Sequence, residues 1–286
     1  MINNKPRFNL VLYIKTYRSD FDIFKNLLKS IFKHNKDNIP VYISVNNEDY
    51  VFFKKGLKDC LEKIVLLPDS DIGTTDIKDG WRYQQIIKSQ FYKLDICHNY
   101  LCVDSDSEFI ADFYLNDFLY LDDLPYTIMQ ESKPLLEVFE RIKIDTSKNS
   151  FKNPLEVIRS VMGYSNNIKM WDYGPSPYLW SCKVWKSFYE VFLPKNNKSI
   201  EELFFEIETK GGHPAEALIY GEYLRNSKII DLIPCECFFK VYHHKKQYQL
   251  ERKYHNIEKL KKIYLGVIFQ SNWKKRRKNL FRKLLK

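Results

Sequence analysis

Three observations predict an α/β fold with a mixed, mainly parallel sheet flanked by helices. Short apolar runs alternate with stretches of helical periodicity from Phe8 to Leu67. The runs are continuous rather than alternating apolar and polar, which is the pattern of strands buried on both faces. The 286 residues include only 9 Gly and 11 Pro, too few for a long disordered linker, and 44% of the chain is apolar, enough for a large core.

The elements follow in order. Phe8 to Ile14 (FNLVLYI) reads as the first strand, and Lys15 to Asp20 as a polar turn. Phe21 to Phe32 has helical spacing, with Phe24, Leu27, Leu28, Ile31 and Phe32 on one face. Pro40 to Val45 is a second strand, Tyr50 to Leu61 a second helix, and Lys63 to Leu67 a third strand closed by Pro68. This succession implies parallel strands with helical crossovers. Open sheets of that kind bind ligands at the carboxyl ends of their strands, so the turn after the first strand is a candidate nucleotide contact. A helix from Asp79 or Gly80 to about Leu94 buries Ile87, Phe91 and Leu94 and offers Gln84, Gln85 and Lys88 to a ligand. A turn at Cys97-His98-Asn99 leads to a strand, Tyr100 to Val103, that ends in Asp104-Ser105-Asp106.

Farther on, the spacing predicts a strand at Tyr126 to Met129 and turns at Tyr173 to Pro177. Helices are predicted at Val184 to Phe192, Glu201 to Lys210 and Ala215 to Leu224, and strands at Ile229 to Ile233 and Cys237 to Val241. Helix is predicted from about Leu250 onward. Cys235, Cys237 and Phe239 read as one buried strand face rather than as zinc ligands, because the four-ligand spacing of a zinc site is missing.

The formal charge of +10 is local. Residues 274–286 hold eight Lys or Arg and no acid, which leaves the body near neutral. A fold dedicated to nucleic acid spreads its basic residues over a surface, so no nucleic-acid partner is expected. Trp273, Leu280, Phe281, Leu284 and Leu285 share one face of a helix whose other face is basic. Such a helix lies on an anionic membrane surface. The six cysteines are scattered, and no apolar run reaches the length of a membrane span or a secretory signal. The expectation is a cytoplasmic protein, peripheral on the inner face of the plasma membrane.

Two carboxylates two residues apart at a strand end project to the same side. Asp104 and Asp106 therefore suit a hard cation such as Mg²⁺ or Mn²⁺, leaving positions for phosphate oxygens. Gly212-His213-Pro214 breaks one helix and opens another that carries a single acid, Glu216, among apolar neighbours. An acid in that setting has a raised pKa and suits general-base work. Trp171 to Pro175 and Trp180 form an aromatic, turn-rich segment able to stack on sugars or to pack in the core.

A first strand with a polar loop, a helix, and an apolar strand ending in D-x-D resembles the GT-A glycosyltransferases. Gly80-Trp81-Arg82-Tyr83-Gln84-Gln85 with Lys88, running into Asp104-Ser105-Asp106, is similar to bacterial sugar transferases of capsule and lipopolysaccharide type. The resemblance spans roughly residues 8–245, and its specific part is 80–110. It implies a Rossmann-like GT-A catalytic domain over 1–245, divided into a nucleotide-binding half (1–110) and an acceptor-binding half (111–245), with 246–286 as a basic helical tail. It implies metal-dependent transfer of a sugar from a nucleotide-sugar donor, most commonly a UDP-sugar, to a glycan or lipid-linked acceptor. Asp106 would be the principal ligand of Mn²⁺ or Mg²⁺. Asp104 would meet the donor ribose, or the metal through water. Thr16 and Tyr17 would meet the base, and Arg82, Gln85 and Lys88 the rest of the donor. Glu216, an acid four residues before Tyr220-Gly221, would deprotonate the acceptor, and His243 or His244 would complete the metal site. A strand ending in D-x-D also resembles phosphatases and phosphotransferases of the haloacid dehalogenase type. There the motif lies near the N-terminus with Thr or Val two residues after the second Asp, whereas Glu108 holds that position here.

Overall fold

The apolar run that opens the chain forms β1 (Phe8–Thr16), the central strand of a five-stranded sheet. The structure, a computed structural model, describes residues 7–121, 123–146 and 150–270. β1 is followed by α1 (Phe21–His34), β2 (Val41–Val45), α2 (Tyr50–Gly56) and β3 (Val65–Pro68). Next come α3 (Gly80–Gln90) and β4 (Cys97–Cys102). β3, β2, β1 and β4 lie side by side in that order and are parallel, with Leu12 opposite both Val41 and Leu101. The parallel α/β unit expected from the alternation is therefore present.

β1 buries alternate side chains into two separate clusters. Val11 and Tyr13 face one with Ile87, Phe91, Tyr100 and Trp180, and Leu10, Leu12 and Ile14 face the other with Phe24, Leu27, Ile43 and Phe53. Burial on both faces is why the strand reads as an unbroken apolar run. Each such side chain taken fully from water contributes about 1.5–3 kcal/mol before entropy is counted.

After β4 the chain forms β5 (Ser107–Phe109), β6 (Leu119–Tyr120), β7 (Leu124–Ile128), α4 (Lys133–Arg141) and α5 (Lys152–Met162). β8 (Tyr178–Ser181) then adds to β4 in the antiparallel sense and closes the main sheet at that edge. α6 (Cys182–Ser187), a π-helical stretch at Phe188–Phe192 and α7 (Leu193–Lys195) run on without interruption. α8 (Ile200–Thr209) starts with Ser199 capping Glu202 N–H while the Glu202 carboxylate caps Ser199 N–H. α9 (Glu216–Ser227) is buried over most of its length and packs against α3, α5 and α6. Gly221 allows this, since a Cβ there would lie 2.1 Å from the Tyr173 ring. The Tyr173 hydroxyl donates to Glu222, which is gripped by both Nε and Nη2 of fully buried Arg159 on α5.

β9 (Ile233–Cys235) pairs with β7, whereas β10 (Phe239–Tyr242) belongs to another three-stranded sheet. Cys235, Cys237 and Phe239 therefore do not share one strand face, which corrects the sequence expectation. All six cysteines are free thiols. α10 (Lys245–Glu251), α11 (Ile257–Leu260) and β11 (Gly266–Phe269) complete the described chain. The expectation of helix from about Leu250 onward is corrected by β11, which lies between β10 and β5. That sheet joins residues on both sides of position 245. The basic amphipathic helix expected over Trp273 to Leu285 lies outside the described residues.

Candidate active site

A cleft of about 1620 Å³ opens where β1 and β4 end. Tyr17, Lys88, Asp104, Ser105, Asp106 and Glu216 line it, and a second wall carries Gln130, Ser132, Trp171 and Asp172. The chain thus brings together acids and a cation that are far apart in sequence.

Lys88 is the centre of the arrangement. α3 is started by Asp79, whose Oδ1 accepts from Arg82 N–H at 2.9 Å, and Lys88 lies on its buried C-terminal half. Its side chain is 2% exposed. Nζ lies 2.6 Å from Asp104 Oδ1 and 3.9 Å from Glu216 Oε1. Burial disfavours the ammonium, but Asp104 and, with smaller effect, Glu216 outweigh that and hold its pKa well above the ordinary lysine range. Lys88 is therefore a fixed positive charge. The Tyr100 hydroxyl donates to the Lys88 carbonyl at 2.9 Å and ties α3 to β4 at this point.

Glu216 is 8% exposed and opens α9. Its backbone N–H donates to Gln85 Oε1 at 3.0 Å. Burial raises its carboxyl pKa, and the nearby Lys88 charge pulls it partly back. Burial also raises the pKa of Asp172, whose oxygens accept from Ser132 Oγ at 2.5 Å and Gly174 N–H at 3.0 Å.

The other predicted residues distribute as follows. Asp104 and Asp106 both line the cleft, on one loop. Tyr17 lines it and donates through its hydroxyl to the Gly80 carbonyl at 2.8 Å, so it braces the start of α3. Thr16 is fully buried at the end of β1, and its Oγ1 has no hydrogen-bond partner. Gln85 is buried and supports Glu216 rather than lining the cleft. Arg82 does not line the cleft either; its Nε is bound to Glu208 and its Nη1 lies 3.7 Å from Asp79. His243 and His244 line the cleft with their rings edge-on to Phe139. Burial, with His244 and Lys240 adding, pushes His243 down to about 4, so it is neutral at pH 7. Among the described residues, no three His, Cys, Asp or Glu side chains form a group able to hold a metal ion, so neither histidine joins Asp104 and Asp106 in one. The donor set that faces the cleft is two hard carboxylates, which fits a divalent cation completed by water and phosphate oxygens.

Sequence reasoning missed the pair beneath Tyr17. Lys15, taken as the start of a turn, is the penultimate residue of β1 with its side chain fully buried. Its Nζ lies 3.1 Å from Asp69 Oδ2, 2.9 Å from Asn46 Oδ1 and 3.9 Å from the Tyr17 ring centre. Burial lowers the Lys15 pKa, with Asp69 opposing. The Tyr83 hydroxyl donates to Asp69 Oδ2 at 3.1 Å, while Asp69 Oδ1 is buried without a hydrogen-bond partner. A lysine ending a buried strand needs a counter-ion, and the acid directly after the third strand was the available signal.

No protein-family model matches the chain, and no curated protein matches it. Among the described residues no helix is long and apolar enough to cross a membrane.

Proposed function

We propose that this protein is a metal-dependent glycosyltransferase of GT-A type, moving a sugar from a nucleotide-sugar donor to a glycan or lipid-linked acceptor. The observation that carries the reading is Lys88, buried between Asp104 at 2.6 Å and Glu216 at 3.9 Å, in a cleft at the carboxyl ends of parallel strands. A fixed ammonium beside a carboxylate loop suits a diphosphate, and a buried acid on its other side suits a base.

Mn²⁺ or Mg²⁺ held by Asp106 and Asp104 would neutralise charge on the departing diphosphate. Lys88 supplies further positive charge from the protein itself. Glu216 accepts the proton of the acceptor hydroxyl as its oxygen bonds to the anomeric carbon; the bond from that carbon to the diphosphate breaks, and its electron pair leaves with the phosphate oxygen. The base role predicts inversion at the anomeric carbon, readable by proton NMR of the product. Tyr17, which lines the cleft at the end of β1, supports a nucleobase position there. Peripheral attachment to the inner membrane through the tail belongs to the same reading, with the eight basic residues of 274–286 as its support.

A thermal-shift comparison of UDP, GDP, CDP and CMP, each with and without Mn²⁺, tests the proposal. One nucleoside diphosphate should raise Tm only when Mn²⁺ is present, and Asp106→Ala should lose that rise while keeping the Tm of the unliganded protein. No shift with any nucleotide, together with phosphate release from a phosphomonoester, would replace the transferase reading with the phosphatase one.

A further inference from the structure

The positive charge of the chain is not confined to its last residues. Residues 245–262 carry seven Lys or Arg against two acids. α10 and α11 turn Tyr248 and Leu260 onto one small cluster with Val267 and Phe269. Their remaining surface is open, and all seven cations, Lys245, Lys246, Arg252, Lys253, Lys259, Lys261 and Lys262, are exposed. Among the described residues, Lys261 alone of the seven has an acid partner in contact, Glu258 at 2.8 Å. The other acid, Glu251, is buried against Lys240 at 2.5 Å and does not offset the surface charge. Two large apolar side chains stand out of the same unit, Tyr254 at 68% and Ile263 at 70% exposure.

We infer that the α10–α11 face docks on an anionic phospholipid surface. Charge complementarity favours that partner, since clustered cations are drawn to acidic headgroups. Exposed Tyr254 and Ile263 match the amphipathic layer between headgroups and acyl chains. In sequence, the chain continues from Gln270, the residue after β11, into the eight Lys or Arg of 274–286. The cleft reaches the same unit, because Gln247, Leu250, Glu251, Tyr254, His255 and Gln270 line it. Docking this face therefore brings that part of the cleft lining to the headgroup layer. An acceptor anchored in the bilayer reaches Glu216 from there; that consequence rests on the transferase reading, whereas lipid docking itself does not.

The test is flotation of the full chain with vesicles of phosphatidylglycerol and phosphatidylcholine, against vesicles of phosphatidylcholine alone. The wild type floats with the anionic vesicles only, and binding weakens with salt. Lys246→Glu/Lys253→Glu/Lys262→Glu lowers partitioning about tenfold or more, and Ile263→Ser lowers it several-fold without touching charge. Neutralising Lys274 to Lys278 with Gln leaves a measurable remainder that the triple substitution removes. Melting curves exclude unfolding, and Ile263→Ser and Lys253→Glu alone serve if the triple variant does not fold. Equal flotation of the triple variant and the wild type would overturn the inference and leave the tail as the sole anchor. Tighter binding of duplex DNA or RNA than of vesicles, lost in the same variants, would overturn it in favour of a nucleic-acid surface. Nucleotide-dependent thermal shifts report separately on the cleft, so failure of either reading is visible without the other.

Discussion

Replacing Lys88 by Met tests the proposed chemistry at one atom. Nζ sits 3.9 Å from the Glu216 carboxylate, and two unit charges at that distance interact by about 4 kcal/mol at an effective dielectric of 20. Asp104 at 2.6 Å already cancels most of the ammonium's field. What remains of that interaction still favours ionised Glu216. The sign follows from the environment. Burial raises the Glu216 pKa and Lys88 lowers it, so losing Lys88 raises it further. A base works in its ionised form, which accumulates as pH rises through its pKa. The acid limb of kcat/KM for sugar transfer therefore moves to higher pH in K88M. The plateau falls by roughly 10²–10³-fold, the typical loss when a preorganised charge stabiliser is removed from a transition state. Asp104 keeps a 32% exposed side chain and stays solvated, and Glu216 can take up a proton, so neither is left as a bare buried charge. A profile that keeps its acid limb, with a plateau within about threefold of wild type, would refute the roles of both Lys88 and Glu216.

Three further outcomes follow from the geometry. Arg82→Ala leaves nucleotide affinity within about threefold by calorimetry, because Arg82 is bound to Glu208 and Asp79 and does not line the cleft; a tenfold loss would restore it as a donor contact. Arg159→Met lowers unfolding free energy in urea by about 3–5 kcal/mol, since it leaves fully buried Glu222 with a lost bidentate partner; a loss below about 1 kcal/mol would mean Arg225 and Tyr173 compensate. Burial pushes Glu108 from 4.5 up to about 7, with Lys33 opposing, so the folded state binds the extra proton and stability falls as pH rises between those values. Glu108→Gln removes that slope, a gain of roughly 3 kcal/mol at pH 8, and an unchanged slope in urea unfolding across that window would refute the assignment.

The first half of the fold was legible because β1 and β2 are buried on both faces and α1 mainly on one, so each type leaves a periodicity. The errors arise where a single polar or basic residue is explained only by a distant partner. Cys97-His98-Asn99 read as a turn but belongs to β4, because the Asn99 amide is satisfied by the carbonyls of Asn9 and Asp123. Gly266–Phe269 follows a basic stretch and is four residues long. It becomes a strand because β5 and β10 leave a slot between them, which no local pattern announces. Lys15 follows the same rule: in sequence it ends an apolar run, and only Asp69 at the end of β3 makes its burial tolerable.

The candidate site was legible in its residue types and not in their division of labour. Gln85 and Lys88 were read as equal donor contacts because both lie on the polar side of α3. They are three residues apart, so they stand on adjacent turns of one helix face. That spacing lets the amide hold Glu216 N–H at 3.0 Å while the ammonium lies 3.9 Å from its carboxylate. The same ammonium reaches Asp104 on the opposite side. α3 therefore fixes the position of Glu216 and its charge environment together with the D-x-D loop. A shift of α3 along its axis would alter both at once, and Tyr17 and Tyr100, donating to the carbonyls of Gly80 and Lys88, oppose such a shift at either end of the helix. These two tyrosines thus hold the arrangement of Lys88, Asp104 and Glu216 from outside it.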